Sequence, residues 1–553
     1  MHKSAPPSDG PEMERHRRRV SSLCSSACYP HPATDIEHIE THISDVLLAG
    51  DYAYKLKKPV ALGFLDFTTL AARRHFCHEE LRLNRRTAPR LYQAVVALRA
   101  TSQGLRWDAD ADPVPGSEKS EGASEALDYA VRMRRFPAEA LFDAMLRAGT
   151  LRGVHVDALA ARVAAFHETV ARSTPDDPHG RPAEVLAAVR RNFETLRNAP
   201  VDAATRTILD SLERWSVARY ETLAPVLAER KAAGFVRECH GDLHSGNIAW
   251  VDDDAMPFDC IEFNAPFRWI DVASEVAFVV MDLQAHGRAD LAARFLDRWL
   301  EASGDDAGLA VLDWFAVYRA LVRAAVAAIR LSQDGVDAAT RDAELASIDR
   351  HVALAKSLAL PRHPAIVITH GFSGSGKTTA AQRVVEAFGS VRVRSDVERK
   401  RLHGLAPDAA SGSSPDGGIY TASATDATYA RLAERVRSIL ASGRVAVVDA
   451  SFLSLARRER FASLARESGS PFAILELSAD ESTLRERIRR RGAIGNDASE
   501  ATEAVLARQL AHADPLTQAE RACSVRVDGD DDRWLAALGE RLGRHLDGQA
   551  VAR

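Results

Sequence analysis

Apolar and polar positions alternate at short range between Thr41 and Pro137. The segments DVLLAG (45–50), YAYKL (52–56) and YAVRM (129–133) carry the period-2 pattern of half-buried strands. They predict a small sheet-rich lobe. Within it, residues 109–123 are rich in Asp, Pro, Gly and Ser and read as an exposed loop. From Ala138 to about Phe235, and again from Leu283 to Leu358, the period lengthens, as in ALAARVAAFH and LVRAAVAAIRL. These stretches predict a mainly helical lobe. The segment SLALPRHP (357–364) then brings two prolines, and beyond it the pattern becomes strand, glycine loop, helix. The expected division is a disordered tail over 1–30, a bilobal domain over 31–356 with its small lobe ending near 136, a linker over 357–364, and a second domain over 365–548. No fixed-period repeat suggests a solenoid.

Length agrees with more than one domain: 553 residues exceed what one hydrophobic core supports. The 46% hydrophobic and 27% charged composition is that of an ordinary globular protein. A net charge of -5 leaves no overall basic field, which argues against wholesale coating of nucleic acid or membrane and leaves only a local basic site open. The six cysteines are scattered, and Cys24 and Cys28 lack a second ligand pair at zinc-finger spacing, so all read as reduced cytoplasmic thiols. Arg15, Arg17, Arg18 and Arg19 are not followed by a signal-length apolar run. Val272 to Leu283, the most apolar later segment, is interrupted by Glu275 and too short to span a bilayer. Neither secretion nor membrane insertion is expected.

The first candidate site is ECHGDLHSGNIAW (238–250), where Asp242 precedes Asn247 by five positions. In kinases this spacing lets the aspartate accept the attacking hydroxyl's hydrogen bond while the asparagine oxygen reaches magnesium. Residues 248–251 and 256–258 are apolar around the turn 252–255, which predicts a hairpin that returns Asp259 beside Asn247. An amide oxygen and a carboxylate would then converge on a metal. Asp252, Asp253 and Asp254 fall at the far end and read as a solvated turn. The bland alternative is that His240, Asp242 and Asn247 only make turn and capping hydrogen bonds. A phosphate-binding cation is expected from YAYKLKKPV, where Lys55 and Lys57 share a strand face. Its acidic partner is expected from HFCHEELRLNRR, as Glu80 or Glu79.

HGDLHSGN followed by FDCIEF resembles the catalytic and metal motifs of the aminoglycoside phosphotransferase-like kinases, over roughly residues 35–355. The resemblance implies an α+β protein-kinase-like bilobal domain with Asp242 as catalytic base and Asn247 and Asp259 as magnesium ligands. It favours Lys55 as the nucleotide-binding lysine, with Glu80 as the preferred partner. Asp271, in FRWIDVASE, matches an aspartate that fixes the catalytic loop in that family; its alternative role is a helix N-cap. No GxGxxG precedes the lysine strand, so the turn ETHISD (40–45) would have to cover the phosphates, with Ser44 a candidate contact.

The second candidate site follows the strand AIVITH (365–370). GFSGSGKT (371–378), opening a helix, fits GxxxxGK[ST] in its proper context. Gly371, Gly374, Ser375, Gly376, Lys377, Thr378 and Thr379 are the expected phosphate-binding residues, with Thr378 on magnesium. VRVRSD ends in Asp396 and RVAVVDASF carries Asp449, both at carboxyl ends of strands where open α/β sheets bind ligands; either aspartate could instead cap a helix. The helix in STLRERIRRRG has an apolar stripe at Leu484 and Ile488 amid five arginines, of which Arg487 and Arg491, one turn apart, are the candidates for closing over phosphates. The loop GAIGNDASE after it suits a lid.

Residues 362–548 resemble P-loop kinases of the gluconate kinase, zeta toxin and polynucleotide kinase group, an α/β P-loop NTPase fold with a mainly parallel sheet. That resemblance implies Asp396 as base, Asp449 as the Walker-B-like metal carboxylate, and Arg399 and Arg401 as substrate contacts. The expectation is therefore a bifunctional ATP- and magnesium-dependent phosphotransferase acting on small-molecule hydroxyls. Two alternatives remain open: a single active P-loop kinase for nucleic-acid ends or nucleotide sugars, supported by a recognition domain, and a nucleotide-gated regulator without phosphotransfer.

Overall fold

The computed structural model describes residues 10–63, 65–109, 125–333, 336–407, 409–413, 417–494, 498–527 and 532–543. Most of the loop read at 109–123, and residues 495–497 of GAIGNDASE, lie outside them. The chain forms two compact units, residues 1–282 with 314–356, and residues 283–313 with 357–553. It therefore leaves the first unit at Asp282, returns at Trp314, and passes finally into the second unit after Lys356. The helix Ala289–Ser303, which its Ala-Leu-Arg pattern assigned to the first domain, is part of the second unit. An amphipathic pattern shows which face of a helix is apolar, not which neighbour covers it.

The first unit is built on a six-stranded antiparallel sheet, in the order Glu37–Glu40, Ser44–Ala49, Tyr52–Lys57, Asp128–Arg134, Tyr92–Thr101, Gly104–Trp107. Alternation sends Leu47, Tyr54, Leu56, Val96 and Leu98 to one face. Val95 and Val131 go to the other, with Cys77 of the helix Leu70–Asn84. Both faces are covered.

The cover on the first face corrects the tail expected over residues 1–30. Pro11–Leu23 is a helix, with proline in its first turn, that buries His16, Val20 and Leu23. Val20, Leu23, Cys28 and Tyr29 join the sheet core, and the Tyr29 hydroxyl donates to Leu23 O at 2.8 Å. Its charge hid it: exposed Arg15 and Arg18 pair with Glu12 and Glu14 on the helix itself.

The helical lobe includes Gly153–Thr169, Pro182–Arg197 and Ala203–Ala232. The hairpin Ile248–Val251 and Asp254–Pro257 forms as its pattern predicts, and Ala249, Val251 and Met256 pack under the sheet.

In the second unit five parallel strands follow the order Val391–Arg394, Val445–Asp449, Ala365–His370, Phe472–Glu476, Ser524–Arg526. The middle strands are near-continuous Val, Ile and Ala, as strands covered on both faces require. The glycine loop, Asp396 and Asp449 all emerge at the carboxyl edge of this sheet. Among the described residues, no helix is long and apolar enough to cross a membrane.

Candidate active sites

In the first unit the loop after the strand Val236–Glu238 is held by two acids from the helix Val272–Ala285. Glu275 Oε1 accepts the amides of His240 (2.6 Å) and Gly241 (2.8 Å), while His167 holds its other oxygen at 2.8 Å. Two turns on, Asp282 accepts the Ser245 amide at 2.8 Å. Neither acid was singled out from the sequence as a loop anchor. The usable sign was an acid inside an otherwise apolar helix, since such a residue is retained only with partners. Gly241 has φ +89°, and a Cβ there would lie 2.7 Å from Phe267 O, so glycine is required.

His240 locks this loop to the hairpin. Its Nε2 lies 2.8 Å from Phe258 O and its Nδ1 accepts the Asp242 amide at 3.3 Å, which fixes the neutral tautomer. Burial lowers its pKa and favours that form. Asp242 is ionised. Burial would raise its pKa, but neighbouring His244 and Arg323 outweigh that and hold it well below the usual carboxylate range. Asn247 donates to Asp242 O (2.9 Å) and Oδ2 (3.0 Å), which commits its nitrogen and turns its oxygen the other way.

Phe258 N donates to Asn247 O at 2.9 Å, so the hairpin closes and Asp259 follows directly. Asp259 has φ +62°, a conformation carboxamide and carboxylate residues tolerate best, and the Tyr92 hydroxyl receives its amide at 3.1 Å. Lys55 pairs with both Asp259 and Glu80, the latter at 2.9 Å. Lys57, fully buried, pairs with Glu80 at 2.8 Å and with Glu262. Both lysines therefore meet Glu80, but Lys55 is the one that lines the cleft. Glu79 instead binds Arg82 and Arg268. Burial would raise the pKa of Glu80; Lys55 and Lys57 outweigh it, and the group stays ionised.

Asp271 takes the N-cap role, accepting the Ala273 amide, and forms a two-pronged pair with Arg230 at 2.8 Å. The loop-fixing role is filled by Glu275. Asp252 and Asp254 bind Arg134, Arg90 and Arg162 at the hairpin's far end, away from Asn247 and Asp259. At ETHISD the Ser44 amide is already committed to Thr41 Oγ1 at 3.0 Å, while its buried hydroxyl has no partner and lines the cleft.

Asp242, Asn247, Asp259 and Lys55 all line one cleft of about 2570 Å³, which exceeds the ~300–1,000 Å³ of a single small-ligand pocket. It has room for a nucleotide and an acceptor. An amide oxygen and a carboxylate at its floor suit a hard divalent cation such as magnesium.

In the second unit Gly374 (φ +85°) and Gly376 (φ +93°) need left-handed backbone, and a Cβ on Gly374 would meet Leu484 O at 2.9 Å. Gly371 packs so closely that a Cβ would sit 2.5 Å from Leu477 O. The loop leads into the helix Lys377–Phe388, whose first-turn amides have no intrahelical acceptor and suit phosphate. Ser375 Oγ is buried without a partner. Thr378 is half-buried in this turn and Thr379 is exposed. Lys377 donates to Phe372 O at 2.7 Å; burial lowers its pKa against the opposing pull of nearby Asp449 and Asp396. Arg487 donates to Gly374 O at 3.3 Å, and Arg491 is close enough to Lys377 to act on its charge. Arg485 and Arg489 turn to Glu503 instead.

Asp396 is half-buried in the first turn of the helix Ser395–Leu402, and Asp449 is buried. Arg399 is buried over the Tyr420 ring and donates to Ile419 O and Thr425 Oγ1. Arg401 turns to Glu398 and to the carbonyl of Glu301. Tyr420 and Glu500, 3.3 Å apart, flank this end and were not anticipated.

A bilobal kinase-like fold and a P-loop kinase-like fold thus stand on one chain. Residues 366–516 match the AAA domain family. The protein Rv2004c of Mycobacterium tuberculosis strain ATCC 25618 / H37Rv is 30% identical over 487 residues, covering 88% of this chain and 92% of its own. Mb2027c of Mycobacterium bovis matches to the same extent. The chain belongs to the family of these mycobacterial proteins. Among solved structures, amicoumacin kinase hAmiN in complex with AMP-PNP, Ca2+ and Ami is similar over 62% of this chain and 93% of that one, at 15% identity and TM-score 0.37. A gluconokinase from Sinorhizobium meliloti 1021 is similar over 33% and 91%, at 23% identity and TM-score 0.23.

Proposed function

We propose that the protein is a bifunctional ATP- and magnesium-dependent phosphotransferase with one active site in each unit, acting on small-molecule hydroxyl acceptors. The observation that carries this reading is the closed hairpin, which brings Asp259 to the end of Asn247 in the cleft that also holds Asp242 and Lys55. In the first unit Asp242 accepts the hydrogen bond of the attacking hydroxyl, Asn247 and Asp259 hold magnesium, and Lys55, steadied by Glu80, holds nucleotide phosphate. In the second, Gly371 to Thr379 cradle the phosphates, Lys377 with Arg487 and Arg491 neutralises charge, Asp396 orients the acceptor, and Thr378 and Asp449 hold magnesium. Magnesium, when bound, neutralises charge on the nucleotide phosphates. The six free cysteines suit a reducing cytoplasm.

A metabolite extract incubated with γ-labelled ATP and the full-length protein tests the proposal. Asp242→Asn is expected to remove one set of labelled products, by about 10²–10⁴-fold in rate, and Lys377→Ala the other. If both variants keep every product of the parent protein, the reading is wrong.

A further inference from the structure

The helix Ala289–Ser303 lies against the phosphate-loop helix Lys377–Phe388 and the strand Val391–Arg394, all within the second unit. Leu291, Phe295 and Trp299 are among its buried residues. Two acids one turn apart face the same way. Asp297 accepts the Arg392 backbone amide at 2.8 Å and its guanidinium at 2.9 Å, with both side chains wholly buried. Glu301 lies 3.4 Å from Arg394 and 3.6 Å from Arg392.

Arg394 stands between two carboxylates. Its Nη1 faces Glu301, while its Nε lies 3.6 Å from Asp449 Oδ2. Arg394 and Asp449 are also direct register partners on neighbouring parallel strands, so their side chains cannot avoid each other. Both contacts sit at the long end of ion-pair geometry, as expected for one guanidinium shared by two acids. Burial would raise the pKa of Glu301, but Arg394, Arg392 and Arg298 outweigh it and keep the carboxylate charged.

A cation closed fully onto Asp449 would compete with any metal for the same oxygens, and in a buried setting that competition is strong. We propose that Glu301 is a positioning residue for the P-loop site: by holding Arg394 off Asp449 it keeps that carboxylate available to the magnesium of the bound nucleotide. The inference rests on the reading of Asp449 as a metal carboxylate. It assigns part of the second site to a helix that precedes residues 314–356 in sequence.

The test reads binding, not turnover. In full-length protein carrying Asp259→Ala, which removes the metal carboxylate proposed for the first unit, binding of a fluorescent ATP analogue is titrated against magnesium. Glu301→Gln is expected to raise the half-saturating magnesium concentration about tenfold, because Arg394 closes onto Asp449. Arg394→Gln is expected to lower it or leave it unchanged, and the double variant should follow Arg394→Gln. A merely structural contact would make both single changes weaken binding together, and that result overturns the inference, as does no change with Glu301→Gln. Asp449→Asn separates the two levels. If it leaves the magnesium dependence untouched, the metal role of Asp449 fails and the inference with it; if it raises the requirement while the opposed pair does not appear, only the role of Glu301 fails.

Discussion

Glu275 shows how one side chain can set the geometry of the proposed catalytic loop without lining the cleft. Its single Oε1 collects two successive amides immediately before Asp242, and His167 holds the other oxygen. Removing it strands buried donors at a cost of about 1–3 kcal/mol each. Glu275→Ala is therefore expected to lower the turnover of the first site while leaving ATP-analogue affinity close to that of the parent, because Lys55 and Glu80 are untouched. Steady-state kinetics beside a binding titration would separate these effects; an affinity loss matching the turnover loss would refute the assignment. The contrast between Glu275 and Asp271 is instructive. Both are buried acids at the start of the same helix, and only hydrogen-bond partners tell the loop anchor from the cap.

At the scale of elements, the N-terminal helix Pro11–Leu23 is tied to the sheet by a buried charge cluster. His16 Nε2 lies 2.7 Å from Asp45, and Asp128 stands 4.0 Å from its other nitrogen. Arg73 and Arg19 also meet Asp128, at 2.8 and 3.2 Å. Burial alone would lower the imidazole pKa; Asp128 and Asp45 outweigh it and raise the value above 6.5. The folded state then binds this proton more tightly than the unfolded chain does. The resulting stability is fully present below pH 6.5 and lost as pH rises through the raised value. The cluster's aspartates act oppositely, with pKa values held below 3.8, so their contribution disappears only in acid. Thermal unfolding followed across neutral pH should show the first unit weakening toward the alkaline side, and His16→Gln should flatten that slope. The elements with strong local patterns are legible in the residue order alone: the hairpin after Asn247, the strand bearing Lys55 and the glycine loop. This helix is not, because its apolar stripe is thin and the partners of its histidine lie 29 and 112 residues away along the chain.

Across the whole molecule, the excursion from Leu283 to Asp313 supplies acids to arginines of the P-loop unit. Asp297 meets Arg392, Asp306 meets Arg435, and Asp313 meets Arg362 and Arg444. Breaking one such pair leaves a buried charge uncompensated, typically at about 3–5 kcal/mol. Asp297→Ala is expected to destabilise the second unit by that amount, seen as a lower unfolding transition for the part of the molecule that the proposed Lys377-dependent nucleotide binding would stabilise. An unchanged transition would show that Arg392 finds another partner. No pattern in the sequence announced this arrangement, since complementary charges carry no address. The excursion also imposes an order on synthesis. Leu291, Phe295 and Trp299 leave the ribosome before the helix Lys377–Phe388 and the strand Val391–Arg394 have been made. At about 5–20 residues per second the wait is on the order of ten seconds. Through that interval the nascent chain carries this helix without the helix and strand it packs against in the folded unit, a natural foothold for a holding chaperone.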